Sequence, residues 1–138
     1  MSRPINTVSR ILKSLAEPTR LRILVLLHHG ELCLCEIAEA LDLTGATVSR
    51  HLTILERAQL VRKQIRHRWH FFSLELDQLP PGWQKTVQTI LDTVETDAQI
   101  AIDRERLKIC LSRNRKYAAC RSPEVPQPLV SLTCNEKV

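Results

Sequence analysis

Glycine is scarce in this 138-residue chain, with three in all, and only five side chains are aromatic, counting two Trp, two Phe and one Tyr. A β-sandwich or barrel needs many tight turns, so so few glycines argue against that class. No apolar run approaches the roughly 18 residues of a membrane-spanning helix. The best stretch, residues 21–27, is interrupted by Arg22 and stops at His28-His29. The first residues also lack the apolar segment of a secretion signal, so the chain is expected to be cytoplasmic, with no membrane partner. In a reducing compartment an odd number of cysteines, here five, reads as thiols or metal ligands rather than a disulfide framework.

What is present is ordinary in bulk and less so in detail. A hydrophobic fraction of 43% suits a globular core and argues against wholesale disorder. The length makes room for one domain with a tail. Twenty Lys+Arg against fifteen Asp+Glu leave a net charge of +5, which favours a polyanionic partner without naming one.

Along the chain, Ile5, Val8, Ile11, Leu12 and Leu15 fall on one helical face. Glu17-Pro18 ends that helix, because the residue before proline is pushed out of the α region. Pro18 then suits the first turn of a second helix that carries Leu21, Ile23, Leu24 and Leu27 towards Gly30. Two short helices are predicted next, over residues 33–41 and, with Thr44 as N-cap, from there to about Arg57. Residues 60–74 change character. Val61, Ile65, Trp69, Phe71 and Phe72 are β-formers interleaved with basic and polar residues, which predicts a β-hairpin turning near Arg66-His67. After Pro80-Pro81 a single long amphipathic helix is predicted, with Trp83, Val87, Ile90, Leu91, Val94, Ala98, Ala101 and Ile102 on one stripe.

The architecture that follows is mainly α with a β-hairpin wing, a winged helix-turn-helix. Residues 1–112 would form the DNA-binding and dimerisation domain, and 113–138 a basic, proline-containing flexible tail. Two short helices joined by Leu41-Asp42-Leu43-Thr44 have the spacing of a helix-turn-helix. The second helix offers Thr47, Ser49, Arg50 and His51, residue types that donate to phosphates and base edges in a major groove. An ordinary helical hairpin with a solvated polar face is the alternative. The hairpin tips the balance, since no acidic residue lies between Arg62 and His70, and Arg66 and Arg68 are expected on the phosphate backbone. A solvated edge hairpin protected by its charge is the competing reading there.

Three segments carry a resemblance. They are Leu12-Lys13-Ser14-Leu15-Ala16-Glu17-Pro18-Thr19-Arg20-Leu21-Arg22-Ile23-Leu24, then Glu31-Leu32-Cys33-Leu34-Cys35-Glu36, then Thr47-Val48-Ser49-Arg50-His51-Leu52. With the wing that ends Arg68-Trp69-His70-Phe71-Phe72-Ser73-Leu74, the chain resembles the ArsR/SmtB family of bacterial metal-responsive winged-helix repressors over roughly residues 5–109. It departs from the family in having His67 where a wing-tip glycine is usual. The resemblance implies a homodimer built on the first and last helices, bound to double-stranded operator DNA near its own promoter and released by metal. The apolar stripe from Trp83 to Ile102 separately suggests a surface that a second copy would cover, and a symmetric dimer matches an inverted-repeat operator.

Glu31-Leu32-Cys33-Leu34-Cys35 looks like the arsenic-sensing signature of that family. Independently of the name, two thiolates two residues apart form a soft chelate that thiophilic ions select, and a helix N-terminus favours thiolate over thiol. The plainer reading is a pair of small buried hydrophobes. On a regular helix such residues point about 200° apart, so ligation by both is expected to unwind the first turn around 33–36. As(III) or Sb(III), the implied inducers, want three sulfurs, and where arsenic sensors often have a third cysteine this chain has Ala38. Cys110 and Cys120, on one subunit or its partner, are the candidate third ligands; bystander thiols are the alternative. No cysteine precedes Cys33 and no histidine lies in 81–112, which removes the ligand patterns of the family's cadmium/lead and zinc sensors. No cofactor is expected for DNA binding. A thiol-based redox switch, or a repressor for another soft metal such as cadmium or lead, is the rival. An enzyme such as an arsenate reductase is not expected, because Glu31 places an anion where its oxyanion would have to sit.

Overall fold

The computed structural model describes residues 4–113. Helix α1, Pro4–Leu15, buries Ile11 and Leu15. Helix α2, Pro18–His28, starts as its sequence demands, with proline in the first turn and the Glu17 carboxylate accepting from the Arg20 N–H at 3.0 Å. Ile23 to Leu27 are buried without interruption, so α2 has no solvent face along that stretch and serves as the central rod of the core. At Gly30 φ is +146°, a conformation that strains any side chain, and the chain turns there into the short strand β1, Leu32–Cys33.

Helices α3, Leu34–Leu41, and α4, Gly45–Arg57, form the helix-turn-helix. Asp42 ends α3 in the left-handed region, and Thr44 caps α4 by accepting from the Thr47 N–H at 3.2 Å. Strands β2, Val61–Arg66, and β3, Trp69–Leu74, make the hairpin, whose register runs from Val61 opposite Leu74 to Arg66 opposite Trp69. The turn is His67-Arg68, one residue beyond the predicted centre. Both residues have positive φ, +52° and +72°, the pattern of a type I′ turn achieved without glycine. Strand β1 pairs with β3, Leu32 opposite Phe72 and Cys33 opposite Phe71, so the sheet has three antiparallel strands in the order β1-β3-β2.

Two expectations are corrected here. The long C-terminal helix is two: α5, Trp83–Val94, and α6, Ala98–Arg113. The break lies at residues 95–97, where the Asp97 carboxylate accepts from the Gln99 N–H at 2.8 Å and so caps the start of α6. The apolar stripe is divided as well. Val87 and Leu91 of α5 and Ile100 of α6 enter the core, and the large side chains left exposed on the terminal helices are Ile5 and Leu12 of α1 and Ile102 and Ile109 of α6. Arg113, assigned above to the tail, belongs to α6 and pairs with Glu39 of α3. The rest of the expected tail, including Cys120, lies outside the described residues. Among the described residues no helix is long and apolar enough to cross a membrane.

Candidate functional site

On α4 the residues Gly45, Val48, Leu52 and Leu55 are buried and fix the helix by one face. Arg50 projects from the opposite face, two residues from both Val48 and Leu52, and is exposed, as is Ser49 at its flank. Thr47 is half-buried, its hydroxyl accepting from Thr44 Oγ1 at 2.9 Å. His51 is turned towards α2: its Nδ1 lies 3.3 Å from Arg20 Nη1 and 3.8 Å from Glu17 Oε2. Arg20 in turn donates to the carbonyls of Ser14 and Lys13 at 2.7 and 3.1 Å. His51 therefore ties the recognition helix to the end of α1 and the start of α2, and the open face of α4 is left to Arg50 and Ser49. Arg57, seven residues after Arg50, is also exposed on that side. Sequence reasoning passed over it, although two helical turns of separation were the signal.

The wing is less cationic than its local sequence suggests. Arg62 lies 3.7 Å from Glu75, and Arg66 pairs with Glu31. Neither carboxylate lies within the stretch whose lack of acidic residues motivated the reading. Arg66 was expected on the phosphate backbone. Its guanidinium instead lies inward, 4.2 Å from the centroid of the Phe71 ring. Lys63, His67 and Arg68 are exposed along the hairpin and at its tip.

The cysteine pair occupies the junction of β1 and α3, and, against the expectation of thiols or metal ligands, Cys35 is disulfide-bonded in this structure. Cys33 is the N-cap residue, with extended backbone (φ −86°, ψ 160°), and Cys35 lies in the first helical turn. The Cys33 N–H donates to Glu36 Oε1 at 2.9 Å, which anchors that turn. Both cysteines are buried and share a small cluster with Trp69 and Phe71 of the wing, separate from the main core. This corrects the premise that both cysteines ride on a regular helix and face apart. Pairing with β3 holds Cys33 in the strand, in extended backbone one residue before α3 begins at Leu34. Cys110 is buried on α6 and is not part of that cluster. Among the described residues no three His, Cys, Asp or Glu side chains converge as metal ligands. His28 and His29 fix α2 to the C-terminal helices: His29 Nε2 is 3.1 Å from Glu95 and 3.0 Å from Arg104, and His28 is 3.2 Å from Gln88.

Residues 17–63 match the model of the family described as bacterial regulatory protein, arsR family. The chain is 31% identical over 113 residues to an arsenical resistance operon repressor of Staphylococcus xylosus, an alignment covering 82% of this chain and 95% of that protein. It is 38% identical over 66 residues to the arsenical resistance operon repressor of Escherichia coli K12, covering 47% of this chain and 56% of that protein. Among solved structures, the homodimeric winged helix-turn-helix DNA-binding domain of a possible ArsR-family regulator from Mycobacterium bovis superposes with a TM-score of 0.53. That match has 27% identity and covers 68% of this chain and 87% of the other.

Proposed function

Because the chain belongs to the arsR family of bacterial regulatory proteins, we propose that it is a homodimeric repressor of an arsenic-resistance operon, released when trivalent arsenic or antimony binds its thiolates. The observation that carries this reading is the placement of Cys33 and Cys35, buried together at the junction of β1 and α3. That junction touches both DNA-binding elements: α3 packs on the recognition helix α4, and β1 pairs with the wing. Once the Cys35 disulfide is reduced, Cys33 and Cys35 would supply two soft donors. The third would be Cys110 or Cys120, from the same or the partner subunit, or a small exogenous thiol. Such a regulator needs no catalytic machinery and no cofactor to bind DNA.

On the DNA side, Arg50 and Ser49 would enter the major groove of an inverted-repeat operator, with Thr47 and His51 setting the pose and Arg68 meeting the backbone. Ile5, Leu12, Ile102 and Ile109, exposed on α1 and α6, would form the apolar seam between protomers. The division of the chain follows, with residues up to Arg113, the end of α6, for binding and pairing and the residues after it as a tail. Arg50→Ala should weaken operator binding about ten- to hundredfold, the range for one good base contact, with unchanged circular dichroism. Equal binding by the variant would move recognition off this helix.

The direct test is fluorescence anisotropy of the fully reduced protein on DNA from upstream of its own gene, titrated with arsenite. Release is expected, together with a change in tryptophan emission, since Trp69 shares the cysteine cluster. The emission change should vanish in Trp69→Phe and persist in Trp83→Phe. Retention of DNA at saturating arsenite would overturn the inducer assignment.

A further inference from the structure

We propose that the Glu31–Arg66 ion pair is a strut that sets the orientation of the wing, and that Arg66 supports DNA binding as a positioning residue rather than as a phosphate contact. Arg66 is the last residue of β2, yet its side chain is only 14% exposed. Its guanidinium engages both carboxylate oxygens of Glu31, Nη2 with Oε1 and Nη1 with Oε2, the latter at 3.4 Å. It also lies over the Phe71 ring at 4.2 Å. This is the fork-on-carboxylate geometry with an aromatic floor that arginine, and not lysine, can satisfy.

Strand register explains how two residues 35 positions apart meet. Residues opposite one another in an antiparallel ladder point to the same face, and alternate residues share it. Cys33 is opposite Phe71, and Arg66 is opposite Trp69. Arg66, Trp69, Phe71 and Cys33 therefore stand on one face of the sheet, while Leu32 and Phe72 stand on the other and join the main core. Arg66 reaches diagonally over Phe71 to a carboxylate two residues before Cys33. The strut thus begins at the wing tip and ends at Glu31, two residues before Cys33. Any displacement of the Cys33 backbone moves Glu31, and through it the wing. This second clause rests on the proposed role of the thiols; the strut itself does not.

The two roles for Arg66 predict opposite charge behaviour. A phosphate contact would make Arg66→Gln lower the salt dependence of binding by about one unit of slope. Glu31→Gln, which removes a competing carboxylate, would then tighten binding. A strut makes both single variants weaken binding by a similar factor, about three- to tenfold, with the salt slope kept and the double variant no worse than either single. Arg66→Lys, which keeps the charge and loses the fork, should behave like Arg66→Gln.

The experiment is operator anisotropy across a salt series for the wild type, the two Gln variants, their double and Arg66→Lys. The rate at which a thiol reagent labels Cys33 in the free protein, measured with the other cysteines replaced by Ser, gives a readout independent of DNA. Faster labelling in both Gln variants is expected. A lowered slope in Arg66→Gln, tighter binding by Glu31→Gln, or full rescue by Lys overturns the strut. Unchanged labelling of Cys33 overturns its link to the thiol pair. If arsenite fails to release the wild type while the variant cycle remains non-additive, the inducer assignment falls and the strut stands.

Discussion

Cys33→Ser should abolish arsenite-driven release while leaving operator affinity unchanged. Both parts of that outcome follow from one geometry. Cys33 lies at the end of β1 and its side chain is buried against Trp69 and Phe71, away from the exposed face of α4. Replacing sulfur by oxygen changes little in size at a position whose backbone is already held by β3 and by Glu36. A soft ion, however, loses one arm of a chelate. Donors separated by one residue act at high effective concentration, so removal of one should raise the arsenite needed for half-release by about a hundredfold or more. Cys35→Ser should do the same. Cys110→Ser separates the third-donor alternatives, since an equal loss assigns Cys110 and no loss transfers the role to Cys120 or an exogenous thiol. Anisotropy of each reduced variant with increasing arsenite is the measurement, and release of Cys33→Ser at the wild-type concentration would remove the thiol pair from sensing.

Asp103→Ala should cost about 3–5 kcal/mol of stability, a large share of the roughly 5–15 kcal/mol that holds a domain of this kind. Asp103 is fully buried on α6. Both of its oxygens receive from Arg22 of α2 at 2.8 Å, and Oδ1 also receives from Gln99 at 3.0 Å. Arg22 donates further to the Leu41 carbonyl at the end of α3 at 3.1 Å. The hydrogen bond to Asp103 holds the Arg22 guanidinium above its ordinary pKa, against the opposing effect of burial. Removing the carboxylate leaves that half-buried cation without its counter-charge, and the penalty is the desolvation of Arg22 rather than the modest net worth of the pair. The urea midpoint reads the loss directly. Arg22→Met with Asp103→Leu should recover most of it, because removing both charges strands neither. A double variant as unstable as Asp103→Ala would show that the network holds α2, α3 and α6 by geometry and not by charge balance.

The features legible in the chain alone are those whose cause lies within a few residues. Pro18 and Thr44 announce helix starts because a missing N–H or a nearby hydroxyl acts on the adjacent turn. Arg50 faces outward because Val48 and Leu52 beside it must face inward. The spacing of Cys33 and Cys35 is likewise local, and it is what suggests two soft donors for the proposed inducer. Asp97 belongs here too, as a local cap that the continuous apolar stripe obscured.

The remaining features depend on segments that meet only when the core closes. Strand β1 has two residues and no periodicity to betray it; it exists because β3 offers a ladder, and that ladder takes Cys33 out of the helix. His51 turns inward because Glu17 and Arg20 arrive beside it from α2. The charge of the wing is decided by Glu31 and Glu75, which a count of the hairpin's own residues cannot include. Asp103 finds Arg22 across 81 positions. Short-range signals survive in a linear sequence because backbone geometry carries them from one residue to the next. Pairings over tens of residues do not, because packing against the rest of the core selects the partner.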